Sequence, residues 1–95
     1  VKLLWTSSAR NNLKEIITYI WRDNPAAARK IRARIESHAA YLAHQPFMGR
    51  PGAIPDTRET IPHPSYRLVY RIAGDVVFVL AVVHTSRQWP PVSED

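Results

Sequence analysis

The sequence predicts an α+β fold: an N-terminal strand, a two-helix hairpin, then a three-stranded antiparallel sheet packed on the helices. Three observations predict it. Apolar residues recur at helical spacing from Ala9 to Leu42, with one break at Asp23-Asn24-Pro25. The stretch from Tyr66 to Val83 reads as two apolar strands around Gly74-Asp75. Between these halves lies Gln45 to Pro55, which holds three prolines and two glycines and so belongs to a loop.

Each element has its own signal. Lys2-Leu3-Leu4-Trp5 is a short apolar run ended by Thr6-Ser7-Ser8, a strand followed by helix-capping chemistry. The first helix carries Ala9, Leu13, Ile16, Ile17 and Ile20 on one stripe and stops at Asp23-Asn24-Pro25. Asn24 then caps a second helix, about Pro25 to His44, with Pro25 at its first position, where a missing N–H costs nothing. Ala28, Ile31, Ile35, Ala39 and Leu42 form its apolar stripe. Thr57-Arg58-Glu59-Thr60-Ile61 is expected to be a short strand, with Pro62 and Pro64 marking its end or a sheet edge. Residues 1–95 are read as one domain, with 91–95 a frayed tail.

A two-residue turn at Gly74-Asp75 fixes the register of the strands that flank it. One face then pairs Ile72 with Val77, Tyr70 with Val79, Leu68 with Ala81 and Tyr66 with Val83, and this face should cover the helices. The other pairs Arg71 with Phe78, Val69 with Leu80, Arg67 with Val82 and Ser65 with His84. In that register Arg67 and His84 are diagonal neighbours, roughly 7–8 Å apart, and could address one ligand. Apolar surface studded with such polar anchors usually meets a partner.

Composition narrows the function classes. With 45% hydrophobic residues and nine large aromatics among 95, the chain can bury a core and is expected to be globular. Without cysteine it has no disulfide, no zinc-thiolate site and no thiol nucleophile. No apolar run is long enough to span a bilayer and no basic-then-apolar leader follows Val1, so a cytoplasmic protein without membrane contact is expected. The net charge of +5 is unevenly spread: residues 1–50 hold nine Lys/Arg against three Asp/Glu, residues 51–95 four against five. The basic excess therefore lies on the helical half, where it would serve nucleic acid or an acidic protein partner equally well.

The order of elements, together with Met48-Gly49-Arg50-Pro51, Thr57-Arg58-Glu59, Tyr66-Arg67-Leu68-Val69-Tyr70-Arg71 and His84-Thr85-Ser86-Arg87-Gln88-Trp89-Pro90, resembles the RelE/ParE superfamily of type II toxins. The resemblance spans nearly the whole chain. It implies a growth-inhibiting protein held inactive by a cognate antitoxin.

Two chemistries follow from the resemblance. RelE-like members cut messenger RNA in the ribosome, which needs a base for the 2′-hydroxyl, a cation for the phosphate and an acid for the departing oxygen. Arg67 matches the sheet arginine of those nucleases, and Glu59, His84 and Arg67 could supply base, acid and cation. Against this, the lysines of the RelE pattern are absent, Thr85 stands where a catalytic arginine is expected, and no Tyr follows the last strand. ParE-like members poison DNA gyrase, and the ending His84, Arg87, Pro90 resembles them more closely. In that reading Arg50, Arg58, Arg71, Arg87 and Trp89 bind a target, and no cofactor or metal is implied. A non-toxic nucleic-acid-binding module using the basic helices is a third reading.

Plainer roles stand beside these. Arg29, Lys30, Arg32 and Arg34 make the wet side of a helix in most proteins. Arg67 and Arg71 could lie solvated over Phe78 and Val82. His84 could simply terminate a strand. The histidines at 38, 44, 63 and 84 show no metal spacing, since His38 and His44 are six apart. Trp5 and Trp21 suit the core or the helical seam, Trp89 a partly exposed position. Arg50 and Arg58 could clasp an acidic partner or pin the loop through Asp56 or Glu59.

Overall fold

The computed structural model describes residues 1–91. In chain order the elements are β1 (Lys2–Trp5), α1 (Ser7–Asp23), α2 (Pro25–Leu42), β2 (Arg50–Pro51), β3 (Arg58–His63), β4 (Tyr66–Ala73) and β5 (Val76–His84). The helical hairpin lies on one face of a sheet whose strand order is β1-β5-β4-β3-β2. The sheet thus has five strands among the described residues, where the sequence predicts three in a sheet with β1 apart. Two additions account for the difference. β1 joins as a parallel neighbour of β5, pairing Leu3 with Val77 and Trp5 with Val79. Arg50-Pro51, inside the expected loop, pairs with Glu59 and Arg58 as a two-residue edge strand, a place that tolerates proline. Of the tail expected to fray, only Pro91 falls within the described residues.

Capping chemistry sets the helices. Thr6 caps α1, its Oγ1 accepting from the Ala9 N–H at 3.2 Å. Asn24 Oδ1 accepts from the Ala27 N–H at 3.0 Å and begins α2, with Pro25 following. α2 stops at Leu42, two residues before the expected His44, where the chain tightens so that Ala43 N–H reaches Ala40 O. Ala9 and Leu13 of α1 and Ile35, Ala39 and Leu42 of α2 pack on Leu68, Tyr70, Val77, Val79 and Val82 to form the core. Trp5 packs against this core. Trp21 is 44% exposed and lies across the hairpin seam under the Arg29 guanidinium, 5.0 Å from its ring centre.

The β4–β5 hairpin begins as the turn dictates, with Gly74 in the left-handed region at φ 59°. Ile72↔Val77, Arg71↔Phe78 and Tyr70↔Val79 pair as expected. Beyond that point the expected register fails. Val69 pairs with Ala81, Leu68 with Val82, Arg67 with Val83 and Tyr66 with His84, so β5 carries one extra residue, Leu80, in a bulge. The bulge sits where β5 changes partner. The Thr6 N–H and Oγ1 both reach the Val79 carbonyl at 3.0 Å, and three residues on Asn12 Oδ1 takes the Val82 N–H at 3.1 Å, so α1 satisfies groups that a strand would otherwise pair. A slip of one residue turns every later side chain to the other face. Val82 and His84 therefore face the helices, and Ala81 and Val83 face away.

Candidate functional site

The expected juxtaposition of Arg67 and His84 is corrected by that bulge: they lie on opposite faces of the hairpin. His84 packs edge-on to Tyr66 on the helix side, ring centres 5.4 Å apart. Arg67 lies on the open face beside Glu59.

Glu59 organises the open face. β3 places it opposite Val69 and next to Arg50, and it is only 5% exposed. Its Oε2 accepts from the Ala53 N–H at 2.9 Å. Its Oε1 stands 3.4 Å from Arg67 Nε and 3.9 Å from Arg50 Nη2. The Arg67 pair is an ion pair whose N–H does not point at the oxygen, which leaves that buried Nε without a hydrogen bond among the described residues. The 52–57 loop folds tightly over the carboxylate. Gly52 N–H donates to Thr57 O, Thr57 Oγ1 donates to Ile54 O, and Asp56 adopts φ 65°. A side chain at position 52 would strike Thr57 Oγ1 and the Glu59 carboxylate. Of the two options the sequence left for Arg50 and Arg58, Arg50 turns toward Glu59, while Arg58 pins the loop through a carbonyl, donating from Nη1 to Gly49 O at 2.7 Å.

The remaining arginines are less committed. Arg58 lies under Phe47 with its guanidinium 5.0 Å from the ring centre, and Arg71 lies over Phe78 at 5.8 Å. Neither has a carboxylate within ion-pair distance among the described residues. Arg58 and Arg71 meet in an open cleft of about 460 Å³ at the Ala73 end of the hairpin, with Phe47, Pro51, Asp56 and Ile72.

A second surface lies at the opposite end of β4. There the unpaired part of β5 and α1 bound a groove of about 800 Å³, lined among others by Ile16, Ile20, Val82, His84, Arg87 and Trp89. The Ser86 N–H donates to His84 Nδ1 at 3.0 Å, so Nδ1 is the bare nitrogen and the Ser86 hydroxyl, 2.6 Å away, is a second donor to it. Trp89 is half-buried, its Nε1 enclosed without a hydrogen-bond partner among the described residues. The sequence-predicted residues thus divide into three sets: Arg50, Glu59, Arg67 and Arg71 on the open face, His84, Arg87 and Trp89 at the groove, and Arg58 at the rim of the cleft.

Three contributors escape sequence reasoning. Tyr70 is inward as expected, but its hydroxyl also donates to Pro46 O at 2.6 Å and accepts from Gly49 N–H at 2.9 Å. Burial pushes this phenol above its ordinary range, partly offset by the Gly49 hydrogen bond and by Arg58. His38 ties α2 to β3 through Thr60 Oγ1 at 2.9 Å, and burial and then Arg34 hold its pKa below the usual imidazole value. Phe47, at the tip of the following loop, is 70% exposed. Its signal was present in the sequence as two large apolar residues, Phe47-Met48, between Pro46 and Gly49. No group of three or more His, Cys, Asp or Glu suited to a metal ion occurs among the described residues. No helix of those residues is long and apolar enough to cross a membrane.

Comparison with known proteins yields four findings. The model of the family described as the ParE toxin of type II toxin-antitoxin system, parDE, matches residues 3–89. A protein of Sinorhizobium fredii named putative toxin Y4kP is 42% identical over 92 residues, covering 96% of this chain and 95% of its own. Toxin RelE2 of Caulobacter vibrioides is 31% identical over 86 residues, covering 90% and 97%. Among solved structures, the chromosomal ParDE system from P. aeruginosa contains a chain of the same fold, with TM-score 0.79 and 23% identity over 88% of this chain and 95% of that one.

Proposed function

The chain belongs to the RelE/ParE superfamily of type II toxins, and from that membership we propose that it is a ParE-like toxin that stops growth by poisoning DNA gyrase. Membership implies a cognate antitoxin as partner. The target places its action in the cytoplasm.

The observation that carries this reading is the separation of Arg67 from His84. Cleaving a message requires base, cation and acid around one phosphate. Here Arg67 faces the open side of the sheet, His84 faces the α1 groove, and both Glu59 oxygens are engaged within the protein. Arg50, Arg58, Arg71, Arg87 and Trp89 then serve as binding residues, with no proton to transfer. The family match and the His84–Arg87–Pro90 ending support the same reading. Purified protein is expected to abolish gyrase supercoiling or trap cleaved DNA; unimpaired supercoiling at large molar excess overturns the reading.

The similarity to a protein named RelE2 supports one alternative, ribosome-dependent cleavage of messenger RNA with Arg67, His84 and Glu59 as the reacting groups. Binding to the ribosome would have to bring Arg67 and His84 to one phosphate. That reading requires new 5′ ends on translated messages, abolished by Arg67→Ala.

A further inference from the structure

Phe47 is a large aromatic held out into solvent by a built platform. Gln45 O accepts from Met48 N–H at 3.1 Å, closing a turn with Pro46 and Phe47 as its central pair, the position proline favours. The buried Tyr70 hydroxyl clamps both flanks of this turn, through Pro46 O and Gly49 N–H. Arg58 adds a third tether at Gly49 O and lies under the Phe47 ring. Gly49 admits no side chain, because a Cβ there would come within 2.7 Å of the Tyr70 hydroxyl and 2.9 Å of Glu59 O. The turn is fixed from below while Phe47 and Met48 stay exposed.

We propose that this turn is the contact through which the toxin grips its target, inserting Phe47 into an apolar pocket bordered by carboxylates on the target protein. The assignment rests on the reading that the target is a protein. Interface hot spots favour aromatic, Met and Arg side chains on preorganised backbone, and here Phe47, Met48 and Arg58 occupy one tethered turn. The charges define the occupant. Arg58 and Arg71 flank the cleft beside Phe47 without carboxylate partners among the described residues. Their free guanidinium edges suit carboxylates on the incoming surface. A nucleic acid fits less well, because Met48 and the exposed Ile54 offer aliphatic surface that a phosphate backbone does not match. The α1 groove lies roughly 20 Å away along β4, six residues from Ile72 to Tyr66 at ~3.4 Å each, so it stays free for a second partner.

The test uses the full chain expressed with its antitoxin, comparing wild type, Phe47→Ala and Phe47→Trp. Phe47→Ala is expected to keep the thermal midpoint and antitoxin affinity, yet to need at least a 30-fold higher dose for growth arrest, with Phe47→Trp restoring most potency. Tyr70→Phe, which loosens the platform and leaves Phe47 in place, is expected to show an intermediate loss. Arrest by Phe47→Ala at the wild-type dose overturns the proposal. So does an equal loss of antitoxin affinity, a Phe47-dependent and steeply salt-dependent binding to DNA or RNA, or a wild type that never arrests growth. If arrest needs Phe47 but gyrase is untouched, the gyrase reading falls and the turn stands. If gyrase binds Phe47→Ala as tightly as wild type, the turn falls and the gyrase reading stands.

Discussion

Glu59 and Arg67 face each other across β3 and β4 with Oε1 and Nε 3.4 Å apart, and the same carboxylate receives the Ala53 N–H. An acidic side chain at 5% exposure in such company acts as the anchor of the open face. Removing its charge leaves a half-buried cation less compensated and loosens the 52–57 loop.

Glu59→Gln is therefore expected to cost about 1–3 kcal/mol of stability. The lower part of that range is favoured because Arg67 is 19% exposed and water screens the pair. Urea unfolding checks this as a lower midpoint at unchanged slope. A double-mutant cycle with Arg67→Ala is expected to show positive coupling, and strict additivity would sink the anchor role.

Thr6 joins the end of β1 to the start of α1 and holds the carbonyl at the bulge. Thr6→Ala removes the cap on Ala9 N–H and one donor to Val79 O, and is expected to cost about 1–2 kcal/mol. Thr6→Ser keeps both contacts and should recover most of the loss in thermal unfolding. A fully stable Thr6→Ala would show that the cap contributes nothing.

His38 gives the fold an acid sensitivity of definite sign. Its folded pKa lies below the ordinary imidazole value of about 6.5, chiefly through burial and secondarily through Arg34. As pH falls below 6.5 the unfolded chain takes up the proton first, so stability declines until the folded pKa is passed, and above 6.5 this group adds no pH dependence. His38→Gln should flatten the wild-type decline between pH 7 and 5; identical slopes would remove His38 as its source.

Much of the fold was legible because its signals are local. The stripes Ala9–Leu13 and Ile35–Ala39–Leu42, the caps Thr6 and Asn24, and the turn at Gly74 all act within a few residues, and each lies where the sequence puts it. The turn set the pairing as far as Tyr70↔Val79. It could not reveal Leu80, because Val76 to Val83 is apolar at every position and carries no alternation to expose a slip. The side of the sheet that His84 occupies was lost with it. β1 as a sheet member and Arg50-Pro51 as an edge were equally hidden, since both depend on partners distant in sequence or on two residues alone. Glu59 and Arg67 were singled out from sequence, but their pairing with each other required the β3–β4 register. Phe47 was missed because an exposed aromatic in a loop has no periodicity to announce it.

The parallel pairing of β1 with β5 also bears on when the molecule becomes itself. Leu3 and Trp5 are made more than seventy residues before their strand partners Val77 and Val79. Thr6 and Val79 are 73 positions apart. Contacts so distant in sequence form late, and a chain still being synthesised has two helices with no completed sheet beneath them. The open face that holds Arg67 and the groove that holds His84 both depend on β5. A chain synthesised only as far as β4 therefore has neither surface, and both appear together when β5 takes its place in the sheet.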